Sequence, residues 1–213
     1  MRYAFVIGSL LCTAMLSAGH VAGQEPARLA PLPAGQMTPD QKAWAEAIKA
    51  PPRNADVTRP PYRAYARSPE LAKRLSALSD YLRWNTSLAP RLSELAILIT
   101  ARQWTAQYEW FAHYPLAIKG GLDPKVAGAI AEGRRPGAMQ ADEAALYDLA
   151  MDLYRDKKVS DATYKAALAA FGERGIMDII GIIGYYDLVS MTLITMQAVA
   201  PNDSVAPLPL LAK

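Results

Sequence analysis

The sequence predicts an all-α protein, and three observations predict it. Apolar residues recur at three- and four-residue spacing in several separate windows. A side-chain oxygen stands directly before proline at repeated segment starts, as in Thr38-Pro39-Asp40-Gln41, Ser68-Pro69-Glu70 and Asp123-Pro124. That is the arrangement of a helix N-cap followed by proline in the first turn. No window alternates with a two-residue period over a useful length, and no tight turn is flanked by strand-like runs. About eight helices are expected, in one domain, because 213 residues suit one ordinary core better than two.

Taken in order, Met1-Arg2, the apolar run Tyr3 to Ala18 and the small residues Val21-Ala22-Gly23 read as a secretory signal peptide over 1–23. A periplasmic or secreted location follows. Residues 24–61 read as an N-terminal arm, flexible to about 37, with a short helix ending near Lys49. An extended connection through PPRN and RPP follows, because proline cannot continue a helix. The helical domain is expected over 62–199. Its first helix begins at Ser68-Pro69, carries Leu71, Leu75, Leu78 and Leu82 as one apolar stripe, and ends at Trp84. Pro90 opens the next, whose run Ala96-Ile97-Leu98-Ile99 is apolar on more than one face and so is buried on several sides. A segment from about Thr105 to Lys119 contains Pro115, whose missing N–H predicts a kink beside His113; Gly120-Gly121 closes it.

Further helices are expected from Asp123-Pro124 to Gly133, from about Ala141 to Lys157, and from Ser160-Asp161 to Gly172. The stretch Ile176 to Val199 is apolar nearly all round and long enough for a membrane span. Asp178 and Asp187 lie within it, and charge at membrane depth is costly. It is therefore expected to be a buried helix of an oligomer, with no stable membrane span in the mature chain. Residues 200–213 read as a loose, proline-rich tail.

Composition narrows the function. Net charge is +3, from 23 basic and 20 acidic residues that are interspersed, which gives no basic face for nucleic acid. Cys12, the one cysteine, lies in the signal segment, so the mature chain is expected to have neither disulfide nor thiol chemistry. There is no phosphate-cradling glycine loop and no nucleophile elbow.

The chemistry concentrates in PRLSELAILITARQWTAQYEWFAHYPLAIKGG, residues 90–121. Glu109 and His113 are four apart and share a helix face, where a carboxylate can orient an imidazole for acid–base work. Spacing alone equally describes a surface ion pair or a satisfied buried histidine. Glu94 meets this pair if the two helices pack antiparallel. Arg91 and Arg102 are candidate anchors for a substrate carboxylate, although Arg91 and Glu94 at three-residue spacing also fit a helix-surface pair. Trp84, Trp104, Trp110 and Tyr108 are candidate pocket walls or plain core. Glu94, Glu109 and His113, scattered over two helices, make a weak metal pattern, and no metal is expected.

The segment RLSELAILITARQWTAQYEWFAHYPLAIKGGLDPKVAGAIAEGRRP, continued by DEAALYDLAMDL, VSDATY and IIGYYDLVSMTL, resembles the carboxymuconolactone decarboxylase family, related to alkylhydroperoxidase D. The likeness covers about Tyr62 to Val199. It implies an all-helical fold assembled as trimers or hexamers, with sites near subunit contacts. In the peroxidase branch a glutamate, a C-x-x-C pair and a histidine form a proton relay. Glu94 takes the glutamate place and His113 the histidine place, while Ala106 and Glu109 stand where the cysteines would be. The decarboxylase branch implies acid–base chemistry without a cofactor on a small carboxylated lactone, although that is a cytoplasmic reaction and this chain carries an export signal. The expectation is an exported, homo-oligomeric, cofactor-independent enzyme. His113 is the acid or base, Glu109 its orienter, Glu94 a second proton carrier and Arg91 or Arg102 the anchor. A non-catalytic oligomer that binds a small apolar acid is the alternative; a thiol peroxidase is disfavoured.

Overall fold

The computed structural model describes residues 28–201 and 205–211. The signal segment lies outside the described residues, as do 202–204 and 212–213. The described residues form eight α-helices and no strand: α1 Pro39–Ala47, α2 Pro60–Tyr65, α3 Pro69–Trp84, α4 Pro90–Trp104, α5 Gln107–Lys119, α6 Pro124–Ala131, α7 Ala141–Met151 and α8 Asp161–Thr195. The all-α class follows from the local signals that begin these helices. Five of the eight carry proline at the first or second position. Thr38, Asp123 and Ser160 each accept a backbone N–H as side-chain caps; Ser68 does not, so proline alone marks the start of α3.

The core is built around α4. Every residue from Leu95 to Arg102 is buried, and α4 touches α5, α6, α7 and α8. An all-apolar run is the sequence of a helix enclosed on all sides. At its end Thr105 takes a left-handed conformation (φ 51°), and the Ala106 N–H bonds back to the Ala101 carbonyl, a Schellman-type stop. The chain reverses there in two residues, which lays α5 back along α4.

Helix α8 is long and apolar enough, by length and composition, to cross a membrane, and 56% of its apolar window is buried in the fold. Gly172 (φ 64°, ψ 178°) breaks it, so the expected pair of helices is realised as two segments meeting at a kink. Asp178 is buried but served by three donors: the Tyr81 hydroxyl at 2.7 Å, the Ser87 hydroxyl at 2.7 Å and the Ser87 N–H at 2.8 Å. Hydrogen bonding, together with Arg174, outweighs burial and keeps its carboxyl below the usual range.

The structure departs from the sequence reading in four places. The buried stripe of α3 is Ala72, Leu75, Ser79 and Leu82, while Leu71 and Leu78 are exposed. Helix α7 ends at Met151 and passes into a π-helical stretch, Asp152–Asp156, short of Lys157. The N-terminal arm is part of the core: Trp44 and Ile48 are buried, and the Trp44 indole N–H bonds Ser76 at 3.0 Å. The tail is fastened as well. Leu208 is 3% exposed, and Gln107 bonds both its N–H and its carbonyl at 2.8 Å.

Candidate active site

The antiparallel α4–α5 hairpin decides where the polar residues of 90–121 go. Glu94 on α4 and Glu109 and His113 on α5 come together, all facing inward. His113 Nδ1 lies 2.6 Å from Glu94 Oε2, and His113 Nε2 lies 3.1 Å from Glu109 Oε1. The imidazole is thus held at both nitrogens by carboxylates. His113 is 4% exposed and Glu109 3%. Burial alone would push the His113 pKa down, but the charges of Glu94 and Glu109 and their hydrogen bonds prevail and raise it to about 9. At neutral pH the group is an imidazolium between two carboxylates. The edge of the Tyr186 ring packs on it, with centroids 5.0 Å apart at 82°.

Beside this relay is a cavity of about 120 Å³. Helix α2 gives it Tyr62 and Tyr65, α3 gives Ser79 and Arg83, α5 gives Tyr108, Glu109, Ala112 and His113, and α8 gives Tyr185, Tyr186 and Val189. Glu94 is not part of the wall; it lies behind His113. The inner end of the relay is therefore Glu94 and its face toward a ligand is Glu109. Burial raises the pKa of Tyr65, Tyr108, Tyr185 and Tyr186, so their hydroxyls stay neutral donors and acceptors.

Neither arginine anchor reaches the cavity. Arg91 turns away to α7, where it meets Asp142 at 2.8 Å and Glu143 at 2.5 Å. The expected Arg91–Glu94 pair does not form, because each finds a better buried partner. Arg102 bonds the Ala131 and Pro209 carbonyls at 2.9 and 2.7 Å and the Thr105 hydroxyl at 2.6 Å, so it fastens loops and tail. Trp110 is core, against Tyr114. Trp84 sits one layer back, its ring contacted by the guanidinium groups of Arg53 (5.5 Å) and Arg83 (5.4 Å). Trp104 bonds Asp187 at 2.6 Å, away from the cavity. Of the aromatic candidates only Tyr108 is in the wall.

The residues the sequence reading passed over are Tyr62, Tyr65, Ser79, Arg83, Tyr185 and Tyr186. Tyr185-Tyr186 had a visible signal, two polar-tipped rings inside an aliphatic helix, where a buried hydroxyl needs a partner. Tyr62 and Tyr65 are three apart on a helix too short to show a period. No group of three or more metal-ligating side chains suited to an ion occurs among the described residues.

No family model matches the sequence, and no curated protein matches it. The fold does have counterparts among solved structures. The alkylhydroperoxidase D core of an uncharacterised peroxidase-related protein from Ralstonia eutropha JMP134 superposes with a TM-score of 0.67 at 19% identity, covering 84% of this chain and 94% of that one. An uncharacterised peroxidase-related protein from Silicibacter sp. TM1040 gives 0.66 at 18%, covering 87% and 96%. The debrominase Bmp8 gives 0.60 at 13%, covering 81% and 91%, and a cysteine-to-alanine variant of it has been solved with 2,3,4-tribromopyrrole. The bundle is thus an alkylhydroperoxidase D-like fold. Within it, the described residues of this chain hold no cysteine.

Proposed function

We propose that this protein is a cofactor-independent acid–base enzyme that decarboxylates or isomerises a small cyclic carboxylic acid of the lactone type. One observation carries the reading: both nitrogens of His113 are engaged by carboxylates, and one of these, Glu109, lines a cavity. A histidine with no free nitrogen exchanges protons with a substrate only through its partner. Glu109 is therefore the group that touches the reacting carbon, His113 the relay and Glu94 its far end, a different division of labour from that read off the spacing. In decarboxylation the C–CO₂⁻ bond breaks, its electron pair enters the conjugated lactone carbonyl and CO₂ leaves. The Nε2 proton of His113 then passes through Glu109 to the carbon as that carbonyl re-forms, leaving a neutral imidazole that regains its proton from solvent. In isomerisation Glu109 removes a proton from one carbon and returns it to another. Neither route needs an oxidant or a metal.

Cavity size supports a one-ring substrate. A dry cavity of roughly 150 Å³ holds benzene, and the space here is about 120 Å³. The tribromopyrrole held by the debrominase variant of similar fold is likewise a single ring. The reading includes export and self-association. Export is supported by the signal-like start, and self-association by Met177, Ile180, Met191 and Ile194, exposed along α8. No nucleic-acid partner is proposed.

The test is proton nuclear magnetic resonance in D₂O with a panel of one-ring carboxylated lactones. Wild type is expected to incorporate deuterium or release CO₂; Glu109→Gln and His113→Gln are expected to lose this by about 10²–10⁴-fold while staying helical. Turnover at wild-type rate in Glu109→Gln would refute the assignment.

A further inference from the structure

The relay accounts for Glu109 and His113 in the cavity wall; Arg83 and Tyr65 share that wall without a direct ion pair or a hydrogen bond of normal geometry. Against burial, the charges of Glu94 and Glu109 do reach Arg83 and help keep its pKa raised. Arg83 is at the end of α3 and partly buried in the wall, and it makes no hydrogen bond or ion pair with any described residue. Its ring contact with Trp84 supplies no acceptor. A guanidinium carries five N–H donors, and Arg83, part-exposed in the cavity wall, leaves them open to an acceptor in that space. The neighbouring arginines show what satisfaction looks like: Arg53, close by, is met by the Ser76 carbonyl at 3.0 Å, the Ser79 hydroxyl at 3.3 Å and Asp80. Tyr65 makes the same point independently. It is 7% exposed, lines the cavity, and its hydroxyl oxygen has no hydrogen-bond partner of normal geometry.

We propose that Arg83 and Tyr65 form an anion-holding subsite, in which the carboxylate or enolate oxygen of a one-ring monoacid accepts from the guanidinium and the phenol. This rests on the reading of Glu109 as the group that works on the ring. With a carboxylate fixed at Arg83, a single ring fills what remains of the cavity and presents its carbon atoms to Glu109. The approach has matching charge. An outer groove shares Arg59, Tyr108 and Ala112 with the cavity and adds Arg63, whose Nε is also without a partner. Among the residues lining cavity and groove the sole acidic one is Glu109, which is turned to His113. A small anion is drawn inward along this path.

The probe is 2-furoate, with the uncharged 2-furamide as its isostere, measured by calorimetry and thermal shift on the full mature chain. Furoate is expected to bind and raise Tm, and furamide to do neither. Arg83→Gln is expected to lose furoate affinity by about ten- to a hundredfold, Arg83→Lys by less, and Tyr65→Phe by about fivefold or more. Equal binding of furoate and furamide to wild type overturns the subsite. So does undiminished furoate binding by Arg83→Gln, or by Tyr65→Phe if Arg83→Gln fails to fold. Glu109→Gln separates the two proposals. If it and wild type both bind furoate through Arg83 and wild type turns over no lactone, the subsite stands and the acid–base reading falls. Turnover whose KM is unchanged by Arg83→Gln overturns the subsite and keeps the reading.

Discussion

Three arginines look alike in the sequence, and their surroundings give them three roles. Arg91 neutralises Asp142 and Glu143, Arg102 ties carbonyls together, and Arg83 faces the cavity. The Arg91 cluster is structural. Glu143 is 2% exposed, and one of its oxygens accepts from the Gln140 N–H while the other meets Arg91. Removing Arg91 leaves that carboxylate buried without its cation. Arg91→Met is expected to cost about 3 kcal/mol in urea unfolding and to leave furoate affinity unchanged. A loss of affinity without a loss of stability would restore Arg91 to the site. Helical spacing put Glu109 and His113 on one face of α5; that this face turns inward and meets Glu94 comes from the antiparallel packing of α4 on α5, which the sequence left open. Spacing could not place Arg91, because its partners Asp142 and Glu143 lie 51 and 52 residues away, on a helix whose rotation about α4 no local pattern encodes.

At the scale of elements, the hairpin of α4 and α5 was legible from proline, glycine and apolar runs, whereas the fastening of its turn was not. Thr105 is β-branched and left-handed, a conformation that costs about 1–3 kcal/mol unless its surroundings hold it. The Arg102 side chain does so, through the Thr105 hydroxyl, and Arg102 also grips Pro209. Two residues on, Gln107 bonds Leu208 twice, at the first position of the helix that carries Glu109 and His113. A proline-rich tail reads as loose because it has no period. It is ordered by the amide of Gln107 and the guanidinium of Arg102, and a short segment needs no period to bury one leucine. Leu208→Ala is expected to cost about 2–4 kcal/mol. Gln107→Ala is expected to release the tail to protease before the body unfolds. Equal protease resistance in Gln107→Ala and wild type would show that the double bond to Leu208 does not hold it.

For the molecule as a whole, the same relay that fits the chemistry ties stability to pH. Glu94 comes from α4, Glu109 and His113 from α5, and Tyr186 from α8, so the protonated imidazole sits where three helices of the core meet. Folding raises its pKa from the ordinary value of about 6.5 to about 9, so the folded chain holds this proton more tightly than the unfolded one. A raised pKa stabilises fully below the unfolded value and loses its effect as pH climbs through the folded one. Stability is thus expected to be level below about pH 6.5 and to decline toward pH 9, by about 3 kcal/mol in all. Urea midpoints taken across this range should fall in wild type. In His113→Gln, which has no proton to lose, the decline should be absent, even though that variant starts lower for having left two carboxylates without a cation. Glu94→Gln removes one of the two charges that hold the proton, so its decline should be smaller and should end at lower pH than in wild type. Parallel profiles for wild type and His113→Gln would mean that the imidazole is neutral in the folded protein, and a proton waiting between Glu94 and Glu109 would no longer be available for transfer to carbon.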